Sequence, residues 1–488
     1  MQTDLVISMS DIARMANVGR AAVSNWRTRF QDDFPEMKEQ GRQGPLFDRA
    51  EVIAWLESKG KLETSDEGSS AMWKLLDLLR GELEVSDALT SLFFIAALRV
   101  LAPDNELWKT AANLPVDELA QGLEAINAVT NDEIETPQLR LASAQSFRQA
   151  VAFIGGLNVT TARSLAKAIL VELPRSSRGF GQFTTPQIIR DLLVGLTDPS
   201  GDVYVPVVGS GQLMVEAASS SEEAMQIFGQ EINVGMASLA RLNLRLHGVN
   251  SVVKLNDGLS RDCFPGLRAD VSIADIPFSM FLDENQRRTN DIRWQWGVPG
   301  RQDSIGAWIQ DILFHLSDTG RAGVIVAPNF LFRTSQSQMQ VRRGLISSGV
   351  VDGVIGLPPG LLHLTRIPAS IILLRKGRPA GSPVWMMNLV NDVIALDRQT
   401  SVLSDEVVER ATSSYASWRT NQQLSGGAVA VDVETLAQNG FDLSPSRYTE
   451  VHPGNTPDEG VLTQRLTELL EEARRLDALL INGAKEAK

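Results

Sequence analysis

Apolar and polar positions along the chain change their rhythm three times. Between Ser10 and Phe30, apolar side chains fall at helical spacing in two short groups, Ile12, Met15 and Ala16, then Ala22, Val23 and Trp26. Ser10 suits a cap for the first, and Asn17-Val18-Gly19 suits a tight turn between them, which is helix-turn-helix spacing. Residues 63–70 are polar, acidic and rich in Gly and Ser, a linker composition that predicts a boundary near residue 66. From residue 71 to about 172 the pattern is helical throughout, with Trp73, Leu75, Leu76 and Leu79 opening one stripe and Leu92, Phe93, Ala96 and Leu98 another. Its expected role is to brace a neighbouring domain or a partner. After residue 178 short apolar runs alternate with helical stretches, at 202–208, 226–230, 251–255, 271–275, 323–327, 350–357, 367–374 and 384–389. That alternation predicts an α/β fold, a Rossmann-like doubly wound sheet with a mostly parallel core and an antiparallel edge. At the end, Leu462, Leu466, Leu469, Ala473, Leu476 and Leu480 make a heptad seam, the signature of a coiled-coil helix that needs another helix to cover it. The expected organisation is a helix-turn-helix module at 1–62, a helical domain at 71–172, the sheet domain at 173–400 and a helical, partner-binding region at 401–488.

Composition narrows the chemistry. With 488 residues, 43% hydrophobic and 22% charged, the chain has material for about three domains and the balance of a soluble protein. A single cysteine, Cys263, excludes an intrachain disulfide, and four scattered histidines (His247, His315, His363, His452) predict no metal site. A cytoplasmic location is expected, since the first residues lack a signal-peptide layout and the most apolar run, 91–102, contains Arg99 and is too short to span a membrane. The net charge of -13 argues against gripping nucleic acid with the whole surface, so any such contact should be local. One local candidate exists. Arg14, Arg20, Arg27 and Arg29 lie between Ile12 and Gln31 with no acid among them, although residues 1–62 balance overall. Arg20, Ser24, Asn25 and Arg27 are therefore candidate DNA-binding residues on the second helix, and the following 45–56 segment resembles the closing strand and helix of winged modules of the excisionase type. A helical hairpin that packs only against protein is the plainer alternative.

Candidate chemistry gathers where the predicted strands end. In Asp270-Val-Ser-Ile-Ala-Asp-Ile-Pro-Phe-Ser-Met280 the apolar run should stop near Asp275, because Pro277 cannot continue a central strand. A carboxylate and the Phe278 ring then stand together at the carboxyl end of a strand, the edge where open α/β sheets bind ligands. An isolated Asp-x-Pro-Phe would otherwise be only a strand ending in a turn. Upstream, Val203 to Ala218 reads strand, glycine turn, helix, with Gly209, Ser210 and Gly211 letting the backbone approach a ligand. The next strand ends at Glu231, placed to accept from a ribose diol, and the third is followed by Asp257, placed to meet a purine amino group. Before the turn lies Gly179-Phe-Gly-Gln-Phe-Thr-Thr-Pro-Gln-Ile-Ile-Arg190, with Thr185 as a helix cap and Pro186 at the first helical position.

This order of pieces resembles the modification subunit of type I restriction-modification systems, a family of S-adenosylmethionine-dependent DNA adenine N6-methylases. The matching segments are Phe183-Thr-Thr-Pro186, Gly209-Ser-Gly211, Gly229-Gln-Glu-Ile-Asn233 with Ala240-Arg-Leu-Asn-Leu244 and His247-Gly248, Leu357-Pro-Pro-Gly360, Ile367-Pro368, and Phe441-Asp-Leu-Ser-Pro-Ser-Arg-Tyr448. The resemblance implies S-adenosyl-L-methionine as cofactor, held by Phe183, Thr184, Thr185, Pro186, Gly209, Ser210, Gly211, Glu231 and Asp257. It implies Asp275, Ile276, Pro277 and Phe278 as the catalytic tetrapeptide, which the family writes Asn-Pro-Pro-Phe, with Phe278 stacking on a base flipped out of the duplex. It implies double-stranded DNA as substrate and a specificity subunit as partner, met through the C-terminal helix; packing of that helix on residues 71–172 and a homodimer stay open. The sequence departs from the family at Val205-Pro-Val-Val-Gly-Ser-Gly-Gln212, where the family has Asp-Pro-Ala-Cys-Gly-Ser-Gly-Gly. The acid that orients the methionine end of the cofactor is thus replaced by Val205. Beyond the tetrapeptide, Arg287, Arg288 and Arg293 interleave with Trp294 and Trp296, so this loop is expected to hold phosphates and stack bases, against the alternative that it folds over its own tryptophans. Two functional readings follow: an adenine N6-methylase of DNA acting with a specificity partner, or a catalytically degenerate methylase-fold protein that binds DNA in regulation or defence.

Overall fold

The computed structural model describes residues 6–9, 12, 23, 26–27, 30, 33–41, 44–59, 67–80, 82–129, 144–176, 185–221, 223, 225–362, 368–392, 394–395 and 401–449. At the N-terminus, strands β1 (Val6–Ser8), β2 (Met37–Gly41) and β3 (Gly44–Asp48) form a small antiparallel sheet in the order β1-β3-β2. A helix, Arg49–Ser58, follows directly, and the Asp48 carboxylate accepts from the Glu51 backbone N–H at 3.0 Å. Ile12, Val23, Phe47, Val52 and Leu56 form the core of this unit, with Trp26 and Phe30 packed at its margin.

The helical region begins at Glu67, inside the stretch read as linker, and continues through helices Val85–Leu101, Val116–Val129, Ala144–Gly155 and Val159–Ser176. Gly68 is the reason the first helix lies against the last: a Cβ there would stand 2.2 Å from the Ser164 backbone. Their shared core includes Leu239, Leu242 and Leu246, which belong to the helix Val234–Leu246 of the sheet domain. The helical region therefore braces the sheet through one helix face.

Nine strands make the main sheet, in the order β14-β11-β9-β10-β8-β7-β4-β5-β6. They are β4 (Asp202–Val205), β5 (Gln226–Glu231), β6 (Ser251–Leu255), β7 (Ala269–Asp275), β8 (Leu316–Val326), β9 (Val351–Gly356), β10 (Ser370–Arg375), β11 (Val384–Asn388) and β14 (Val429–Val431), with a separate ribbon of β12 (Ile394–Ala395) and β13 (Ser401–Val402) between the last two. From β6 to β8 all pairings are parallel. The antiparallel element is not only the edge that was expected: β10 is inserted between β8 and β9, antiparallel to both, and the true edge is β14. Residues 401–449 accordingly belong to the sheet domain, since β14 extends the sheet and helix Asp405–Asn421 packs on helix Gln187–Thr197. Alternation along the strands sorts the core into two faces. Val271, Ile273, Ile325, Ile355, Ile371 and Leu373 enter one; Ala274, Val324, Val326, Val354, Ile372 and Leu374 enter the other.

Candidate active site

Strands β7, β4, β5 and β6 are neighbours and parallel, so the segments leaving their carboxyl ends meet on one edge. β7 ends at Asp275, two residues before Pro277, as a residue without a backbone N–H requires. Ile276 is buried, Pro277 is exposed, and Phe278 is half-buried between the two faces of the core. The Thr185 hydroxyl donates to Asp275 Oδ2 at 2.7 Å. Desolvation pushes the Asp275 carboxyl up to about 6, and the Thr185 hydrogen bond only partly offsets it. Thr185 is thus not the expected helix cap. Pro186 occupies the cap position of helix Gln187–Thr197, and the threonine hydroxyl is spent on the acid ninety residues later in the chain.

β4 ends at Val205, short of the predicted 208, because Pro206 follows. The turn beyond it needs left-handed backbone at Gly209 (φ 57°) and Gly211 (φ 77°). Gly211 also lies against the helix Val234–Leu246, where a Cβ would stand 3.2 Å from Ala240. The Ser210 carbonyl accepts from Asn243 Nδ2 at 3.1 Å. Glu231, at the end of β5, receives the Gly209 N–H on Oε2 and the Asn233 N–H on Oε1, each at 2.8 Å. Burial raises its carboxyl, and the backbone amides offset that only in part. The acid therefore ties the glycine turn to the neighbouring strand. Beside it Ile232 is 66% exposed, an uncovered apolar surface at the mouth of the turn that sequence reasoning missed. After β6, Asp257 accepts from the Leu259 N–H at 3.1 Å, the Ser260 hydroxyl and Gln286 Nε2 at 2.9 Å. Val205 itself is fully buried.

The sequence profile of the N-6 DNA Methylase family matches residues 169–456. The chain belongs to that family. Among its curated relatives are the type I restriction enzyme MjaIX methylase subunit of Methanocaldococcus jannaschii, 25% identical over 330 residues, and the HindI methylase subunit of Haemophilus influenzae, 27% identical over 308 residues. Those alignments cover 63% and 60% of this chain, and 58% and 69% of the two relatives. In fold, the chain is similar to the type I restriction-modification methyltransferase subunit of Streptococcus thermophilus, with a TM-score of 0.68 and 20% identity over 79% of this chain and 100% of that one. It is also similar to a class I S-adenosylmethionine-dependent methyltransferase of Listeria monocytogenes, with a TM-score of 0.51 and 15% identity over 72% of this chain and 99% of that one. Both likenesses are of the α/β fold.

Several expected site residues need reassignment. Arg293 is 4% exposed and ion-paired to Asp291 and Asp311, which hold its guanidinium above the ordinary range although burial alone would lower it. It has no donor left for a phosphate. Trp294 is buried in the core and Trp296 lies against Gly344, so the loop folds over its own tryptophans instead of offering them to bases. Arg288 is exposed, Arg287 half-buried, and Arg27 exposed over the Phe47 ring. Phe183, Thr184, Arg20, Ser24, Asn25 and the 462–480 seam lie outside the described residues. Among the described residues no group of acids, histidines and cysteines is arranged to hold a metal, and no helix is long and apolar enough to cross a membrane.

Proposed function

We propose that this chain is an S-adenosylmethionine-dependent adenine N6-methylase of DNA that works with a specificity partner. The observation that carries the reading is Asp275, raised to about 6 and oriented by Thr185, at the end of β7 beside the glycine turn. The described residues suit the donor's adenosine: Glu231 keeps acceptor capacity for a ribose diol, Ile232 offers an apolar surface to the purine, and Asp257 accepts its amino group. When bound, the donor supplies an electrophilic methyl group on a sulfonium. Adenine's exocyclic nitrogen is a poor nucleophile because its lone pair is delocalised into the ring. Asp275 accepts one of its N–H bonds and the Ile276 carbonyl the other, which draws the nitrogen out of conjugation and frees the lone pair for attack. Thr185 holds the carboxyl in register, and Phe278 stacks on the flipped base. The same Asp275 carboxyl is basic enough to take the proton that the methylated nitrogen gives up.

DNA phosphates would meet the exposed Arg288 and Arg27 and the remaining donors of Arg287, with Arg20, Ser24 and Asn25 of the N-terminal module alongside them. The module is read as a winged helix-turn-helix, and the 462–480 seam as the docking helix for a specificity subunit, with a homodimer as the other arrangement. The names of the type I methylase relatives support that reading. One observation favours the second reading, a methylase fold kept for DNA binding alone: fully buried Val205 puts no charge where the resemblance implies an acid for the methionine end. Calorimetric titration with S-adenosylmethionine separates the two. Saturable heat followed by N6-methyladenine in DNA supports the enzyme, and no heat at millimolar donor leaves the binding protein.

A further inference from the structure

Four consecutive residues on the donor side of the edge are gripped from the segment that follows the catalytic tetrapeptide. Asp257 receives Gln286 Nε2 at 2.9 Å; the Gly258 and Leu259 carbonyls receive Arg293 Nη1 and Nη2 at 2.8 and 2.7 Å; the Ser260 carbonyl receives Arg288 Nη2 at 2.7 Å. Arg293 completes its set with Asp311 at 2.8 Å through Nη1, and with Asp291 at 2.7 Å through Nη2 and 3.0 Å through Nε. All five of its N–H donors are used, each on a fixed acceptor. Gln286 is as firmly set, since its Oε1 accepts from Asp283 N–H while its own N–H donates to Asp283 Oδ1, both at 2.9 Å. Neither side chain is free to turn away.

This determines what Asp257 has left to offer. A carboxylate has about four acceptor positions, and among the described residues the Leu259 N–H, the Ser260 hydroxyl and Gln286 take three. The remaining one suits a single further N–H. We infer that Gln286 and Arg293 are positioning residues: from the base side of the site they hold the 257–260 turn so that the last acceptor of Asp257 meets the 6-amino group of the methyl donor's adenine. The inference rests on the methylase reading above and adds to it residues that touch neither donor nor DNA. It also gives Arg293, first read as a nucleic-acid contact, a role on the donor side.

The test uses the full chain and two donors, S-adenosylmethionine and its analogue with hydrogen in place of the 6-amino group. A hydrogen bond to an ionised acceptor gives the wild type about a tenfold preference for the amino donor. Gln286→Ala, which abandons no buried charge, and Arg293→Lys, which keeps the charge but cannot serve five acceptors, should bring that preference to about twofold or less and leave analogue binding nearly unchanged. Equal weakening of both donors in the two variants would show a merely structural role, and an unchanged preference would show that Asp257 is positioned without them; either overturns the inference while leaving the methylase reading intact. A wild-type chain that binds neither donor overturns the methylase reading and this inference with it.

Discussion

Asp275 and Glu231 end strands two places apart in the same sheet, and burial raises both carboxyls, yet the fold treats them differently. Glu231 has a backbone N–H on each oxygen, both supplied by elements that the acid itself joins. Among the described residues, Asp275 has one partner, the Thr185 hydroxyl. A carboxylate with an amide on each oxygen is a structural tie that also meets a ligand, whereas one with a single partner among the described residues keeps acceptor capacity for a substrate. The difference separates a residue that builds the site from one that is held ready to react.

The largest effect should come from removing the reactive member. Asp275→Ala should lower N6-methyladenine formation by about 10²–10³-fold, with donor affinity held within about threefold by calorimetry. Full methylation by that variant would place the chemistry elsewhere. Neutral isosteres should then move stability in opposite directions. Glu231→Gln turns an amide NH₂ toward a backbone N–H and should cost about 1–3 kcal/mol in denaturant unfolding. Asp275→Asn should instead stabilise the fold by about 1–2 kcal/mol at pH 7. The sign follows from the shift: with a folded value near 6 and an unfolded value of 3.8, the wild type holds its proton more tightly when folded, so its stability falls as pH rises from about 4 to 6. The advantage of Asn should therefore vanish as pH drops through 6 toward 4. Loss in both variants would mean that the two acids are alike after all.

Thr185→Val keeps the volume and removes the hydroxyl that Asp275 accepts from, so the rate should fall about tenfold. In the wild type methylation should rise as pH passes about 6 and Asp275 ionises; without the hydroxyl that midpoint should move upward, because the Thr185 hydrogen bond is what lowers it. A midpoint that stays in place would assign the titration to another group. Smallest of all, Ile232→Ser should weaken donor binding by a few-fold with no change in unfolding, since the side chain is already two-thirds exposed.

Much of the donor edge was legible in the chain. The runs at 226–230, 251–255 and 271–275 became β5, β6 and β7, and their terminal acids lie where strand length and Pro277 put them. What failed were residues whose role is set by partners far away in sequence. Arg293 sits in a run of arginines and tryptophans that by composition suits nucleic acid, but its acceptors include Gly258, Leu259 and Asp311. Thr185 precedes a helix and reads as its cap, but its acceptor is Asp275. Local pattern names a donor and cannot name the acceptor.

By itself, then, the sequence determined the alternation of strands and helices, the glycine turn, the positions of the acids at strand ends and the family, because each of these is written in short-range spacing and in the bans that Gly and Pro impose on backbone angles. Only the tertiary structure decided how many partners each of those acids has among the described residues, that β10 enters the sheet between β8 and β9, and that Arg293 is spent on the 257–260 turn while Arg288 of the same segment stays exposed. The physical reason is the same in each case. Hydrogen-bond saturation and desolvation are properties of the three-dimensional neighbourhood, and they decide whether a charged side chain is a tie, a reactive group or a contact for a partner.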